Sequence, residues 1–168
     1  MDNDSIVKEL FECYSDMIYR ISISYGKNEY IAEEVVQEVF LRYLKKKPQF
    51  ENSEHEKAWF IRVALNCCKS MLQTAWFRKT EPLKEDLQAV EAWKEEENEL
   101  FETLMELPPK YRIVLYLRYY EEYQVKEIAG LLGITPNLAS ARLSRAKKLM
   151  KQKMLKSMEE LRNETGNI

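Results

Sequence analysis

The chain has 168 residues, 26 Lys or Arg against 28 Asp or Glu, a formal net charge of −2, and only four glycines and five prolines. That length holds one domain or two small ones, and high charge with little Gly or Pro points to an all-α fold. The three cysteines, Cys13, Cys67 and Cys68, leave an odd thiol and form no CxxC, which argues against a disulfide framework or a zinc site.

These cysteines are expected to be small core residues. The start of the chain shows no basic stretch leading into an apolar one, and no apolar run is long enough to span a bilayer. A cytoplasmic protein without membrane insertion is therefore expected. With no nucleophile–base pair, no metal-ligand spacing and no Gly-rich phosphate loop, neither an enzyme nor a cofactor is expected.

In NEYIAEEVVQEVFLRYLKK, Ala32, Val35, Val36, Val39 and Tyr43 fall on one helical face and are expected to be core. On the opposite face Glu34, Gln37, Glu38 and Leu41 recur at helical spacing. An acidic and amide patch thus surrounds a leucine with no core to enter. It suits a basic partner helix with an apolar contact at its centre, although a solvated face is the plainer reading.

The polar loop KPQFENSEHE follows, with Phe50 as a possible pocket wall and His55 as an ordinary loop residue. KAWFIRVALNCCKSMLQ is then apolar nearly all round. Its one polar stripe is Arg62, Asn66, Lys69 and Gln73, with Trp59 continuing it and Ser70 beside it. Bases and amides flanked by aromatics can hold phosphates and stack unpaired bases. Taken singly, Trp59, Phe60, Trp76 and Phe77 are better explained as core.

Charge then segregates along the chain. Between Thr80 and Leu100, Glu81, Glu85, Asp86, Glu91, Glu95, Glu96, Glu97 and Glu99 face only Lys84 and Lys94, the composition of a linker, partly helical around Ala89 to Trp93. From Lys110 to Lys156 eleven Lys or Arg stand against Glu121, Glu122 and Glu127. Two small helical domains, 1–79 and 100–158, are thus expected on either side of an acidic linker at 80–99, with a C-terminal tail at 159–168.

Within the second domain Val125, Ile128, Ala129 and Leu132 share one face, and Gly133 can end that helix. Ile134 plugs the turn, Thr135 caps the next helix, and Pro136 suits its first position. In TPNLASARLSRAKKLM, Ala139, Leu143, Ala146 and Met150 make the core face, while Asn137, Ala141, Ser144 and Lys148 point away, with Arg142 and Arg145 on the flank. This is a helix-turn-helix whose second helix fits a major groove. A solvated helix hairpin is the plainer alternative.

These stretches resemble one family in order along the chain. AEEVVQEVFLRYL with FENSEHEKAWFIRVALNCCKSML is similar to region two of the bacterial extracytoplasmic-function (ECF) sigma factors. LPPKYRIVLYLRYYEEYQVKEIAGLLGITPNLASARLSRAKKLM is similar to their region four. The resemblance implies a dissociable subunit that binds core RNA polymerase and directs promoter-specific initiation. It implies that Glu34, Gln37, Glu38 and Leu41 grip the polymerase clamp helices, and that region four rests on the flap. It further implies that Phe50, Asn66 and Ser70 shape a pocket for a base flipped from the minus-ten element, beside Trp59, Arg62 and Lys69.

The resemblance also implies that Asn137, Ser140, Arg142, Ser144, Arg145 and Lys148 meet the minus-thirty-five element, and that an anti-sigma factor is a candidate partner. The chain departs from many relatives at Asn137, Leu138, Ser140, Ser70 and Glu56, so base preference does not transfer. A stand-alone helix-turn-helix regulator would account for the second domain alone, leaving the acid patch around Leu41 unexplained.

Overall fold

The computed structural model describes residues 2–78 and 98–166, with side chains described from 2 to 74 and from 99 to 166. All regular structure among the described residues is helical. The expected acidic linker, with its helix around Ala89 to Trp93, lies outside the described residues except for positions 98 and 99. The chain forms two compact units that divide within that segment.

Unit 1 is three helices: α1 (Asn3–Gly26), α2 (Glu29–Lys46) and α3 (Ser53–Arg78). Helix α1 buries Leu10, Tyr14, Met17, Ile18 and Ile21, one stripe at three- and four-residue steps. Gly26 ends it against α3, where a Cβ would stand 3.2 Å from Leu72 Cδ2, so the absent side chain permits the approach. The Asn28 side chain then accepts the Ile31 N–H at 3.1 Å and starts α2. The expected core face of α2 is buried at Ala32, Val35, Val36 and Val39, joined by Phe40, while Tyr43 is only half-buried.

Phe60 of α3 is fully buried at the centre of this unit. Its ring centroid lies 4.6 Å from Tyr14, 5.5 Å from Phe40 and 5.8 Å from Tyr43. The Tyr14 hydroxyl donates to Glu56 Oε1 at 2.8 Å, tying α1 to the first turn of α3. Burial, reinforced by that carboxylate, raises the phenol above its usual range. Two of the three cysteines meet expectation: Cys67 and Cys68 are buried. Burial pushes the Cys68 thiol up to about 12, so it stays protonated and unreactive beside Ser22. Cys13, expected in the core, is exposed instead, since it precedes the buried Tyr14 and so misses the core stripe of α1.

Unit 2 contains α4 (Asn98–Met105), α5 (Pro109–Leu115) continued by a π turn at Tyr116–Tyr120, α6 (Val125–Leu132) and α7 (Pro136–Thr165). Arg112 is buried and donates from Nη1 to the Met105 carbonyl at 3.1 Å, which satisfies a backbone acceptor at the end of α4. The π turn brings Tyr116 and Tyr120 into a stack with centroids 5.3 Å apart. Tyr116 donates to Glu121 Oε1 at 2.7 Å, and Arg118 Nη1 donates to the Tyr123 carbonyl at 3.2 Å. The loop into α6 is thereby held from both sides.

The turn between α6 and α7 follows the sequence residue by residue. Gly133 adopts φ +66°, a left-handed conformation that favours glycine, and the Ile134 N–H reaches back to the Ala129 carbonyl at 3.0 Å. Thr135 Oγ1 accepts the Leu138 N–H at 3.2 Å, with Pro136 at the first helical position. Ala139, Leu143 and Ala146 are buried as expected, and Met150 is half-buried. The helix runs on to Thr165, through most of the stretch at 159–168 set apart as a tail.

Candidate functional site

Three surfaces offer chemistry, two on unit 1 and one on unit 2. On α2, the core face leaves Glu34, Gln37 and Leu41 exposed together and Glu38 half-buried. Leu41 is 53 % exposed, so it contributes little to the core. Glu38 Oε1 meets Arg42 Nε at 3.0 Å one turn along. That pair orients the carboxylate, and its partial exposure keeps it worth only a few tenths of a kcal/mol. Leu44, one turn beyond Leu41, is also exposed and widens the apolar centre, a feature the sequence reading did not include.

On α3, Arg62, Asn66, Lys69, Ser70 and Gln73 are exposed, with buried Ile61, Ala64, Leu65, Cys67 and Cys68 on the other faces. One polar strip remains because the rest of the helix is packed. At its N-terminal end Trp59 and Phe50 are both half-buried, with ring centroids 5.9 Å apart. Trp59 also stands edge-on to Phe60 at 5.1 Å. The strip therefore begins at an aromatic wall.

The wall is held by caps. The Asn52 side chain accepts the His55 N–H at 2.8 Å, and His55 Nδ1 accepts the Glu51 N–H at 3.2 Å. His55 is thus not in a loop, as expected, but in the first turn of α3, with its ring 5.5 Å from Phe50. The correction follows from Asn52, which starts the helix before the apolar pattern begins. The side chains of Trp76 and Phe77 lie outside those described.

On α7, Asn137, Ser140, Ser144, Arg145 and Lys148 are exposed and Arg142 is half-buried. Leu138, between Asn137 and Ala139, is exposed as well. No acidic side chain occurs between Pro136 and Met158 on this helix, so a phosphate backbone meets only cations and neutral groups there. Helix α6 packs against α7 across the short turn at Gly133, as in a helix-turn-helix.

A fourth feature was not legible in the sequence. An apolar groove of about 500 Å³ opens in unit 2 between α4, the π turn and α7, with Leu100, Phe101, Tyr119, Met150, Met154 and Met158 among its lining residues. Tyr119 is 60 % exposed on its rim, with Lys147 Nζ 5.7 Å from its ring centroid. No group of three or more His, Cys, Asp or Glu able to hold a metal ion exists among the described residues. None of the described helices is long and apolar enough to cross a membrane.

Two family models match the chain in order. Sigma-70 region 2 matches residues 10–78, and Sigma-70 region 4 matches residues 97–150. The chain is 31 % identical over 157 residues to the RNA polymerase sigma factor SigV of Bacillus subtilis, covering 88 % of this chain and 92 % of that protein. It is 28 % identical over 154 residues to the ECF RNA polymerase sigma factor SigM of the same species, covering 86 % and 93 % respectively.

Among solved structures, the sigma factor RpoE of Bartonella quintana, in complex with the anti-sigma factor NepR, shares the fold with a TM-score of 0.66 at 18 % identity, over 88 % of this chain and 95 % of that one. CnrH, in complex with the cytosolic domain of CnrY, does so with a TM-score of 0.64 at 21 % identity, over 92 % and 90 %. A stand-alone regulator would have no use for region 2. The chain belongs to the RNA polymerase sigma factors of the extracytoplasmic-function group, which bind core polymerase and direct promoter-specific transcription initiation.

Proposed function

We propose that the three surfaces divide the work of initiation. The face of Glu34, Gln37, Glu38 and Leu41 holds the clamp helices of core polymerase. The strip of Arg62, Asn66, Lys69 and Ser70, with Phe50 and Trp59 at its head, captures the opened minus-ten strand. The outward face of α7, with Asn137, Ser140, Arg142, Ser144, Arg145 and Lys148, meets the minus-thirty-five element, and the groove beside Tyr119 rests on the flap. The protein acts in the cytoplasm with its polymerase as a regulatory subunit, not as an enzyme, and an anti-sigma factor holds it in reserve. Leu41, half exposed amid acids and opposite a packed core face, is the observation that carries the clamp assignment. Reconstitution with core polymerase tests the whole: transcripts starting at one site on a cognate promoter fragment are expected, and none without the chain.

The melting role has its own test. Asn66 is exposed and lies off the α2 face, so Asn66→Ala is expected to keep fold and polymerase binding while strand opening fails. Flipping a base costs a few kcal/mol of unstacking, which contacts such as this amide must offset. Permanganate reactivity of unpaired thymines reads it directly. Full reactivity with the variant holoenzyme removes Asn66 from the pocket.

On α7, charge and sequence reading should separate. Phosphate contacts position a protein and carry no sequence information directly, whereas contacts to base edges do. Arg142→Ala and Arg145→Ala are expected to weaken binding to all promoters about equally, lowering the salt slope by roughly one unit per lost phosphate contact. Lys148→Ala, or enlarging Ser140, is expected to reorder affinities among minus-thirty-five variants, by about 1–3 kcal/mol per base contact. Affinities across a promoter library at several salt concentrations check both.

A further inference from the structure

His55, the one histidine of the chain, closes the first turn of α3 in place of a more usual side chain. In a capping box the N-cap side chain accepts the N–H of the third helical residue, whose Glu or Gln side chain reaches back to the N-cap N–H. Asn52 plays the first part. Its side chain accepts the His55 N–H at 2.8 Å, and its carbonyl accepts the Glu56 N–H at 3.1 Å. The second part falls to an imidazole: the Glu51 N–H, one residue ahead of the N-cap, donates to His55 Nδ1 at 3.2 Å.

That N–H belongs to the planar peptide joining Phe50 to Glu51, so the bond sets the direction in which the chain leaves Phe50. The ring acts as well as the nitrogen. Its centroid lies 5.5 Å from that of Phe50 with the planes at 89°, and Phe50 rests in turn against Trp59 at 5.9 Å and Phe60 at 6.5 Å. Phe60 is fully buried, Phe50 and Trp59 are half-buried and His55 is exposed, so a row of rings leads from the packed interior to the surface. Without His55, Phe50 keeps its inner contacts but loses one ring neighbour and the bond that orients its peptide.

Only one form of the ring can hold the bond. Nδ1 accepts when the proton sits on Nε2, whereas a doubly protonated ring turns a donor toward the Glu51 N–H. Imidazole is the side chain whose charge changes between about pH 5 and 8, a range in which an amide oxygen would go on accepting. The loop and helices that meet here bring Glu51, then Glu54, Glu56 and Lys57 of α3, and Lys46 and Lys47 at the end of α2. From α1 comes Tyr14, whose hydroxyl donates to Glu56 Oε1 at 2.8 Å. Glu51 and Glu54 favour the charged ring, and the N-terminal end of α3 opposes a cation in its first turn. When the ring does take a proton, the contact with Glu51 is lost.

We propose that His55 is a positioning residue for promoter opening: in its neutral form it sets Phe50 in the wall of the minus-ten pocket, and protonation releases that wall. This rests on the reading of Phe50 as part of the pocket. Opening is greatest at the basic end of the range and falls as pH drops, while polymerase binding through α2 is unchanged.

His55→Asn puts an acceptor oxygen at the same reach from the backbone as Nδ1 and removes the proton switch, and His55→Ala removes the acceptor. Permanganate reactivity of each holoenzyme on a cognate promoter fragment, from about pH 8 to about pH 6, compares them across the imidazole range. At the upper end His55→Ala should open about fivefold less than the parent, the size of a lost capping contact, and His55→Asn should stay within about twofold. Towards the lower end the parent should fall about fivefold relative to His55→Asn, a ratio from which any pH dependence of the polymerase itself cancels. In the free full chain the Glu51 amide resonance should follow the ring's titration in the parent and stay still in His55→Asn. Opening by His55→Ala equal to the parent's, a constant ratio of parent to His55→Asn, or a Glu51 amide indifferent to pH overturns the proposal. Phe50→Ala separates it from the pocket reading. If that variant fails to open while His55→Ala opens fully, the role of His55 alone is struck; if Phe50→Ala opens fully, the wall falls and this role with it.

Discussion

Glu38→Lys and Leu41→Asp should each yield a folded protein that no longer co-purifies with core polymerase. Leu41 is 53 % exposed and Glu38 is half-buried, so neither change opens the packed interior. Reversing Glu38 sets a lysine against Arg42, which now stands 3.0 Å from the carboxylate, but an exposed pair one turn apart is worth only about 0.3–0.5 kcal/mol to the helix. The loss at an interface is far larger. Truncating a central contact typically costs about 2–4 kcal/mol, roughly thirtyfold to a thousandfold in affinity. Co-purification equal to the parent's, for both variants, would remove α2 from the clamp contact.

The largest expected loss of stability is at Phe60. Its ring touches Tyr14, Phe40, Tyr43 and Trp59, one from α1, two from α2 and one from its own helix, and no solvent reaches it. Phe60→Ala should cost about 3–5 kcal/mol, because lost burial adds to a cavity that three helices cannot close together. Denaturant unfolding of the region 2 signal measures it. The same substitution shifts Trp59, so strand opening should suffer even where the fold survives at low temperature. A Phe60→Leu variant, which keeps most of the volume, should recover the larger part of both.

The helix-turn-helix was legible because its determinants are local. Gly133, Thr135 and Pro136 each act on backbone within a few residues, and the structure places each at the φ angle, hydrogen bond or helical position that its chemistry dictates. The polar strip of α3 was legible for a different reason: a helix apolar on every other side leaves one direction for Arg62, Asn66 and Lys69. Cys13 and His55 were misplaced, one by the register of a helix and the other by its start. The capping side chain of Asn52 starts α3 earlier than its apolar pattern, and the α1 register turns Cys13 outward. The groove could not be read at all. Met150, Met154 and Met158 continue a core pattern without a break, and only the absence of a packed neighbour in space distinguishes a buried methionine from an offered one.

Helix α7 is a single uninterrupted element of 30 residues, roughly 45 Å from Thr135 to Thr165. Its first turns carry the side chains assigned to promoter DNA, its middle walls the groove, and its last turns stand clear of the unit. Such a rod behaves as a lever. A few degrees of tilt imposed at the free end displaces that end by several ångströms and turns the other end by the same angle, enough to misalign side chains whose productive geometry tolerates only about 0.5 Å. On the proposed promoter assignment, whatever grips the last turns sets the aim of the first ones, and promoter choice becomes sensitive to a contact made far from any base.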